Sequence, residues 1–409
     1  MKNIAIIRES RTDDNRAPLA PKHIKEILFK FPDVKVFVQP SEHRCFSDEE
    51  YQDQGAIVKE NLSNCDLILG VKEIEPNLLI AEKNYMFFSH TAKIQPDNSA
   101  AVQGTPGMDK KDLLKEIIRK KITLIDYENI RDNLSRRYLG FGRFAGIVGC
   151  YNSLNLYLEV LGQSPMPRAI CLNSYQKLKE NISKRNFNNT KIIITGDGRV
   201  ANGSLEFLKY TNISKLTPEE YLSYQGTSAV FCNLPTSKYV SKKDYGDFNL
   251  QHFINFPEDY KSTIEEYILS QTTMIISSHY WDPKSPKLFK KNDVKKYRNL
   301  KVIGDITCDV NGSIPTTLRS TTINDPYFYL DRNTLQEIKK DKDSLAVMAV
   351  DNLPSELPRD SSTEFGDGIV QEVLPYIIND DDGRIKKATI TLDGNLTPPY
   401  DYIKDYVHN

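Results

Sequence analysis

Residues 196–201, Gly-Asp-Gly-Arg-Val-Ala, fit the glycine pattern of a dinucleotide-binding loop. In that pattern one glycine makes a tight turn, a second lets the backbone approach a pyrophosphate, and a small third residue allows close helix packing. The loop follows the apolar residues 191–195 and precedes a helical pattern through Leu208. An ordinary glycine turn is the alternative, but this context favours a dinucleotide cofactor, bound through Gly196, Gly198, Arg199, Val200 and Ala201.

The strand expected after this loop, residues 213–217, bears on the choice of cofactor. An acid about 20 residues beyond the loop usually binds the ribose hydroxyls of NAD. Here the strand ends in Lys-Leu-Thr and the first acid is Glu219, so no acid stands at the strand end. Lys215 or Thr217 could accommodate a 2′-phosphate instead, which slightly favours NADP(H) over NAD(H).

Short apolar segments in the first third of the chain are each followed by ionisable side chains. The segments are residues 3–8, 65–71, 85–89 and 122–126, and the side chains that follow them are Arg16, Lys72, Glu73, His90 and Glu128. In open parallel sheets, ligands bind at the carboxyl ends of the strands. A single polar residue at a strand end is often only solvated loop, but their joint placement predicts a site on one edge of a sheet, facing a cofactor across a cleft.

Two further pairs of polar residues have both a structural and a functional interpretation. Arg136 and Arg137 form either a solvated loop pair or a clamp for a carboxylate, which the planar guanidinium suits. Asp305 and Asp309 flank the end of the apolar residues 301–306. They either cap a helix or line the nicotinamide side of the cleft, and the sequence does not separate the two.

The elements that must position these groups alternate between strand-like and helix-like segments. That alternation predicts an α/β fold with two Rossmann-like, doubly wound parallel-sheet domains and an interdomain cleft. Residues 138–150 are rich in glycine and aromatic residues and look like a tight crossover between the domains. Past residue 321 the alternation stops, and we expect a helix over 363–378, kinked or ended at Pro375, and a last strand near 387–392.

The composition of the chain limits the classes of partner that we expect it to bind. The chain has 409 residues, 27% of them charged, and a net charge of -1, without the basic excess of a nucleic-acid-binding protein. No apolar run approaches the length that spans a bilayer, and the first residues show no secretory signal. The cysteines and histidines lack the spacing of metal ligands. We therefore expect a cytoplasmic protein with small-molecule partners and no metal, nucleic acid or membrane; assembly into a homo-oligomer is compatible with this.

Short stretches spread in order along nearly the whole chain point to one family. They are residues 16–24, 69–72, 87–91, 124–128, 141–146, 196–198, 304–306, 309, 312–314 and 351–354. In these stretches the chain resembles the alanine dehydrogenase, transhydrogenase and saccharopine dehydrogenase superfamily, most of all the lysine–ketoglutarate reductases. The family fold implies a discontinuous substrate domain, 1–143 plus 322–409, around a dinucleotide-binding domain, 144–321.

The resemblance also implies a reaction. The ε-amine of lysine condenses with 2-oxoglutarate, and the imine takes a hydride from the nicotinamide to give saccharopine, or the reverse occurs. Lys72 and His90 match the family's acid–base pair, and Arg16 matches the residue that binds a substrate carboxylate. Further matches around that pocket are Glu73, Lys93, Glu128 and Arg137, and the aspartate near the nicotinamide is Asp305 or Asp309.

Acid–base work suits groups that titrate near neutrality. Histidine does so in its ordinary state, and a buried lysine can be brought there. Burial and a neighbouring Arg16 would lower the pKa of Lys72, whereas Glu73 and Glu128 would raise it. The sequence leaves that balance open.

Two alternative functions stay open at this stage. An alanine dehydrogenase or another opine-type amino-acid dehydrogenase would turn over with pyruvate and ammonia where lysine fails. A non-catalytic nucleotide-binding sensor would bind the cofactor without turnover, although such a sensor has no need of both Lys72 and His90.

Overall fold

The structure, a computed structural model, describes residues 2–93 and 109–408. The chain divides into two compact units. Unit 1 comprises Met1–Phe141 together with Pro358–Asn409, and unit 2 comprises Gly142–Leu357. The chain thus leaves unit 1, builds unit 2 and returns.

The first segment of unit 1 alternates strands with helices. Its strands are β1 (Asn3–Ile6), β2 (Lys35–Val38), β3 (Ile57–Val58), β4 (Leu67–Leu69), β5 (Asn84–Phe87) and β6 (Thr123–Asp126). Its helices are α1 (Pro21–Lys30), α2 (Asp48–Gln52) and α3 (Lys110–Arg119), with 3-10 helices at Pro76–Leu78, Thr91–Lys93 and Tyr127–Asn129. Helix α1 begins at Pro21, whose missing N–H would have no partner in a first turn.

Unit 2 begins with the long helix α4 (Gly142–Val160). Its other helices are α5 (Ala169–Leu172), α6 (Tyr175–Ile182), α7 (Arg199–Leu208), α8 (Pro218–Ser223), α9 (Thr236–Tyr239), α10 (Leu250–Asn255) and α11 (Glu265–Leu269). Its strands are β7 (Lys191–Thr195), β8 (Ser214–Leu216), β9 (Val230–Leu234), β10 (Val240–Lys242), β11 (Tyr260–Ser262), β12 (Met274–Ser277), β13 (Val302–Asp305), β14 (Tyr327–Leu330), β15 (Glu337–Ile338) and β16 (Leu345–Met348). The 3-10 helices span Pro257–Asp259, Lys291–Lys296 and Leu353–Glu356.

The returning segment completes unit 1. It contains α12 (Pro358–Glu372), α13 (Leu374–Ile378), α14 (Arg384–Ala388), β17 (Thr389–Leu392), β18 (Asn395–Leu396), a 3-10 helix at Pro398–Ile403 and α15 (Asp405–His408). The predicted helix over 363–378 is therefore two helices that meet at Val373, with Pro375 in the first turn of α13. No helix of the described residues is long and apolar enough to cross a membrane.

Each unit contains one eight-stranded sheet, and the two large sheets share a layout; β10 and β11 form a separate antiparallel pair in unit 2. In unit 1 the order is β18-β17-β6-β5-β4-β1-β2-β3, and in unit 2 it is β15-β14-β16-β13-β12-β7-β9-β8. In each, six parallel strands carry an antiparallel pair at one side. Alternate residues of β7 enter two different cores, Ile192 and Ile194 on one face and Ile193 on the other. Both faces of this sheet are thus covered, as in a doubly wound fold.

The structure differs from the sequence-based boundary at residue 322. Residues 322–357 belong to unit 2, because β16 pairs in parallel with β13 and β14 pairs with β16. Backbone hydrogen bonds to a central strand hold this segment in the second sheet. The antiparallel turn through β14 and β15 interrupts the strand–helix alternation that the sequence pattern relies on.

The expected crossover at residues 138–150 is also different, because α4 begins at Gly142. The glycines in this stretch bring two helices together. A side chain at Gly146 would overlap the carbonyl oxygen of Val200, and one at Gly203 would overlap that of Arg143. Glycine here allows α4 and α7 to pack backbone against backbone. It does not mark a turn of the chain.

Candidate active site

Four parallel strands of unit 1 present ionisable residues at the same edge of the sheet. Strands β6, β5, β4 and β1 are neighbours in that order, so their carboxyl ends lie side by side. The residues that follow them include Arg16, Lys72, Glu73, His90 and Glu128. The carboxyl ends of these four strands, where the sequence predicts the ionisable groups to lie, therefore form one continuous row along the sheet.

Glu73 and His90 form the tightest pair at this edge. Nδ1 of His90 lies 2.5 Å from Oε1 of Glu73, and both residues are buried. Burial alone would raise the pKa of Glu73, but the hydrogen bond and charge of His90, with the charge of Lys72, lower it to about 2. Glu73 is therefore a carboxylate that holds one ring nitrogen of His90, which fixes the ring and leaves Nε2 as its other polar atom.

The backbone around His90 is held in an unusual conformation. His90 has a φ of 53°, in the left-handed region that residues other than glycine rarely adopt. Asp126, at the end of β6, accepts hydrogen bonds from the Ser89 backbone N–H at 3.0 Å and from its hydroxyl at 2.6 Å. Ser89 in turn lies 2.8 Å from the Thr91 hydroxyl. These bonds stabilise a turn that would otherwise cost about 1–3 kcal/mol, and such strain is often found at functional sites.

Neighbouring residues fix the backbone of Lys72 and influence the pKa of its side chain. Its backbone N–H donates to Oε2 of Glu9 at 2.9 Å, and Val71 donates to the other oxygen at 2.7 Å. Desolvation and the positive charge of Arg16 lower the pKa of Lys72, and they outweigh Glu73 and Asp14, which act in the opposite direction. The sequence left open whether the pKa of this lysine is raised or lowered. In the structure it is lowered, so the lysine releases its proton more readily.

Glu9 was not among the sequence-based candidates. Burial and the negative charge of Asp14 raise its pKa to about 8, although two backbone hydrogen bonds and Arg16 oppose the shift. A carboxyl group that is largely protonated near neutral pH therefore adjoins the Lys72 backbone. Its position just after β1 is the same strand-end signal that identified Lys72 and could have identified it.

Arg16 is buried and already engaged by its own loop. Its Nε donates to Oδ1 of Asp14 at 2.8 Å and Nη2 lies 2.5 Å from Oδ2, so Asp14 binds one edge of the guanidinium. Burial opposes ionisation of Asp14, yet the charge and hydrogen bonds of Arg16 hold the pKa of that carboxyl well below its usual range. The guanidinium also lies over the Phe141 ring, 4.2 Å from its centroid. It is therefore fixed in place.

The remaining substrate-site candidates lie after β5 and β6. Glu128 is buried and pairs with Arg137, whose Nη1 is 3.2 Å from Oε1, while Arg137 itself is half-exposed. Arg136 instead pairs with Asp132 in the loop. Lys93 closes the 3-10 helix Thr91–Lys93, and its side chain lies outside the described residues.

In unit 2 the glycine loop connects β7 to α7. Gly196 has a φ of 95°, and a Cβ there would lie 2.8 Å from the Cα of His279 and from the Ser278 carbonyl. Only glycine satisfies both constraints. Ala201, the small third position, is fully buried.

Gly198 has the opposite surroundings, and they fit a dinucleotide. A Cβ at Gly198 would meet no described atom within 4 Å. Gly198 is also the N-cap of α7, where no side chain caps the helix and the first turn carries no acid. The N-terminus of a ten-residue helix and the open space beside the backbone of Gly198 suit a pyrophosphate. Arg199 and Val200, the next two residues, form the start of that helix.

Residues on neighbouring strands hold this loop from both sides, and the sequence pattern missed them. Asn233 donates to the carbonyls of Gly196 at 2.8 Å and Ile194 at 3.2 Å. On the other side, the hydroxyl of Thr195 lies 2.7 Å from Nδ1 of His279, whose pKa burial lowers to about 4. Asn233 stands near the end of β9, so its strand-end position was the available signal.

Asp305 and Asp309 have different surroundings. Asp305 is fully buried and accepts hydrogen bonds at 2.6 Å from the hydroxyls of Ser277, Thr307 and Thr317. Burial raises its pKa despite these donors. Asp305 therefore ties together the loops at the end of β13, whereas Asp309 lies further along that loop and is half-buried.

The two residues that could distinguish NADP(H) from NAD(H) lie at the edge strand β8. Lys215 is exposed within the strand. Thr217 is the N-cap of α8, where its hydroxyl accepts from Glu220 N at 3.2 Å and Glu220 accepts from Thr217 N at 2.8 Å. Thr217 thus has a structural role as a capping residue. No cluster of described histidine, cysteine or acidic residues is arranged to hold a metal ion.

Comparison with known proteins gives a consistent result. Residues 5–148 match the family described as alanine dehydrogenase/PNT, N-terminal domain, and residues 237–398 match the alanine dehydrogenase/PNT, C-terminal domain.

Three curated relatives align with nearly all of the chain. The alpha-aminoadipic semialdehyde synthase of Arabidopsis thaliana is 30% identical, and the alignment covers 95% of this chain and 40% of that protein. The mitochondrial alpha-aminoadipic semialdehyde synthase of Mus musculus is 28% identical, with 96% and 46% covered. A saccharopine dehydrogenase (NAD+, L-lysine-forming) of Candida glabrata is 24% identical, with 90% and 89% covered. The chain thus spans less than half the length of the first two relatives.

Solved structures show the fold. An L-alanine dehydrogenase superposes with a TM-score of 0.61 at 13% identity, covering 99% of both chains. A transhydrogenase from Sinorhizobium meliloti gives 0.60 at 12% identity, covering 97% of this chain and all of that one. The predicted α/β class with two mostly parallel, Rossmann-like sheets is confirmed.

Proposed function

The chain belongs to the alanine dehydrogenase/PNT family, and on that premise we propose that it interconverts L-lysine plus 2-oxoglutarate and saccharopine with a nicotinamide cofactor. The observation that carries the proposal is the edge of unit 1, where a lysine of lowered pKa and a histidine fixed by a buried carboxylate both act on that carboxylate, Glu73. The names of the relatives, saccharopine dehydrogenase above all, support the same substrates.

The chemistry needs proton transfer at two atoms of the substrate. Imine formation moves protons at the attacking nitrogen and at the carbinol oxygen, which leaves as water. A bound nicotinamide supplies the hydride that reduces the imine carbon, or accepts it in the reverse direction. The protein's part is then to bind carboxylates, exclude water and exchange protons.

Lys72 and His90 are proposed as the acid–base pair. Nζ of Lys72 can exchange a proton because desolvation and Arg16 reduce its affinity for one. Nε2 of His90 is the ring nitrogen that can serve the substrate, since Glu73 holds Nδ1. Glu73 orients the ring through its hydrogen bond to Nδ1.

The cationic groups of the same edge suit a substrate with several carboxylates. Arg16 is proposed to bind one of them, with Asp14 and Phe141 fixing the guanidinium. Glu128, Arg137 and Lys93 are proposed to line the same pocket, as the family resemblance implies.

The glycine loop is proposed to hold the cofactor, with Gly196, Gly198, Arg199, Val200 and Ala201 around the pyrophosphate. Of the two aspartates, Asp309 is proposed for the nicotinamide side because it is half-buried, whereas Asp305 is fully buried. Lys215 favours NADP(H), and Thr217 is the weaker candidate since its hydroxyl caps α8. Cytoplasmic location and homo-oligomer formation stay predictions of the sequence.

A substrate panel tests the proposal. Purified protein is supplied with NADH or NADPH and with lysine plus 2-oxoglutarate, or with NAD+ or NADP+ and saccharopine, while nicotinamide absorbance is followed. We expect turnover only when both lysine and 2-oxoglutarate are present, or with saccharopine. Turnover with pyruvate and ammonia alone would replace the proposal with an alanine dehydrogenase. Tight cofactor binding without turnover on any substrate would favour a sensor.

A further inference from the structure

The hydroxyl of Tyr127 is buried beside the candidate active site and has no hydrogen-bond partner among the described residues. Tyr127 stands between Asp126 and Glu128 at the carboxyl end of β6, and its exposed fraction is 0%. Its Oη hydrogen-bonds no atom of the described chain. A buried polar group in that state costs about 1–3 kcal/mol, which phenylalanine would avoid.

The ring of Tyr127 is held firmly, so the position of its hydroxyl is determined. The ring packs edge-on against Phe365 at 5.1 Å between centroids and contacts Phe88 at 5.2 Å. Phe365 also stacks on Phe141, 4.4 Å away, which is the ring beneath Arg16. One aromatic cluster therefore positions both the Tyr127 phenol and the Arg16 guanidinium.

The position of Tyr127 in the chain places the residue next to groups of this edge. Tyr127 directly follows Asp126, which binds Ser89 beside His90, so the residue lies at the end of β6 among the groups of this edge. Burial, then the negative charge of Glu9, then that of Asp126, hold the pKa of Tyr127 well above its ordinary value. The hydroxyl therefore stays protonated, as a neutral donor, at every working pH.

From this arrangement we infer that Tyr127 is a substrate-binding residue, whose hydroxyl donates a hydrogen bond to an oxygen of the bound substrate. The inference rests on the proposed function for the class of substrate, an oxo acid or amino acid. Its physical basis is the lack of a partner in the described part of the chain: a donor that is buried, held firmly and unsatisfied there is satisfied when a carboxylate or carbonyl oxygen of the substrate binds. The charged groups around it bind by ion pairing, whereas Tyr127 adds a directional contact.

The matched pair Tyr127→Phe and Tyr85→Phe tests the inference. Tyr85 is also fully buried in unit 1, on β5, but its hydroxyl accepts a hydrogen bond from Ile80 N at 2.8 Å. Both variants lose one oxygen and keep the ring. For both variants we measure thermal unfolding without ligand and thermal protection by 2-oxoglutarate and by saccharopine. We also measure kcat and KM.

We expect Tyr127→Phe to unfold at the same temperature as wild type or higher, and to lose about 10-fold or more in kcat/KM. A higher KM with unchanged kcat would assign the contact to a carboxylate, and a lower kcat would assign it to the reacting oxygen. Tyr85→Phe should be less stable with unchanged kinetics. Wild-type kinetics in Tyr127→Phe would overturn the inference and leave the proposed function standing.

If wild-type protein turns over none of the proposed substrates, the proposed function fails, and thermal protection alone decides the inference. Protection of wild type that Tyr127→Phe loses would then support a substrate contact of this hydroxyl. Equal protection of both proteins, including none, would overturn it.

Discussion

The two large sheets of this protein have the same strand layout and chemically opposite edges. Each has six parallel strands with an antiparallel pair at one side. The edge of unit 1 that bears Lys72 and His90 is crowded with ionisable groups that pair with one another. At the corresponding edge of unit 2 the glycine loop is held by the Asn233 amide, a threonine hydroxyl and His279, and the buried carboxylate of Asp305 is surrounded by hydroxyl donors.

The difference shows how one architecture can serve two tasks. In unit 1, burial and neighbouring charges move pKa values in both directions within one cluster: Glu9 to about 8, Glu73 to about 2, and Lys72 below its ordinary value. Such divergence suits proton transfer. In unit 2, exposed backbone at Gly198 and the N-terminus of α7 suit an anion that brings its own charge.

The largest expected effect tests whether proton transfer belongs to unit 1 alone. Lys72→Met should lower kcat by about 10²- to 10⁴-fold, because a positioned acid–base group contributes that much. Cofactor affinity, measured by NAD(P)H fluorescence, should change less than about twofold, since a unit 2 site is unaffected. Lys25→Met, an exposed change on α1, serves as the control. Parallel losses of turnover and cofactor affinity would contradict this division of roles.

The two aspartates of unit 2 should separate structure from function. Asp305→Ala leaves buried hydroxyls of Ser277 and Thr317 without their acceptor, so we expect a loss of about 2 kcal/mol or more in the free energy of unfolding. Asp309→Ala should lose less stability and more turnover. Urea unfolding and steady-state kinetics on both variants decide the point, and the reverse pattern would exchange the two roles.

The two glycines of the loop should respond in opposite ways. Gly196→Ala meets backbone of His279 at a φ of 95°, so we expect the protein without cofactor to lose about 1–3 kcal/mol of stability. Gly198→Ala has space and should unfold like wild type, yet bind NAD(P)H more weakly because the methyl group occupies the space proposed for the pyrophosphate. Calorimetry and a cofactor titration give both quantities. Unchanged affinity in Gly198→Ala would place the cofactor elsewhere.

Two glutamates of unit 1 should give the unfolding free energy opposite pH dependences. Glu73 has a pKa depressed from 4.5 to about 2, so its contribution is present above pH 4.5 and is lost as the pH falls towards 2. Glu9 has a pKa raised from 4.5 to about 8, so its contribution is present below pH 4.5 and is lost as the pH rises towards 8. Glu73→Gln should flatten the acid limb and Glu9→Gln the limb between pH 5 and 8 in urea unfolding curves. Identical pH profiles in the two variants would show that the surroundings of the two glutamates do not shift their pKa values in opposite directions.

The smallest effect concerns cofactor choice. If Lys215 binds a 2′-phosphate, Lys215→Ala should weaken NADPH by several-fold, about 1 kcal/mol for an exposed ion pair, and leave NADH unchanged. Lys177→Ala, an exposed change on α6, is the control. An equal change for both cofactors would remove Lys215 from the discrimination.

Local patterns in the sequence were sufficient for the parts of the site that depend on neighbours along the chain. The glycine loop follows from the spacing of Gly196, Gly198 and Ala201 between an apolar run and a helix. Lys72 and His90 follow from their position just after strands. Both inferences need only the backbone geometry of a strand–loop–helix unit or a parallel sheet, which short segments encode.

Tertiary structure decided what depends on residues far apart in the sequence. The glycine-rich stretch after Phe141 is a helix because Gly146 packs against α7, and the chain stays in unit 2 to Leu357 because β16 pairs with β13. The direction of the Lys72 pKa shift needed the positions of Arg16 and Glu73. Charge interactions and burial act through space, so the sequence named the groups at this edge, and only the fold determined their balance and revealed the unpartnered hydroxyl of Tyr127 beside them.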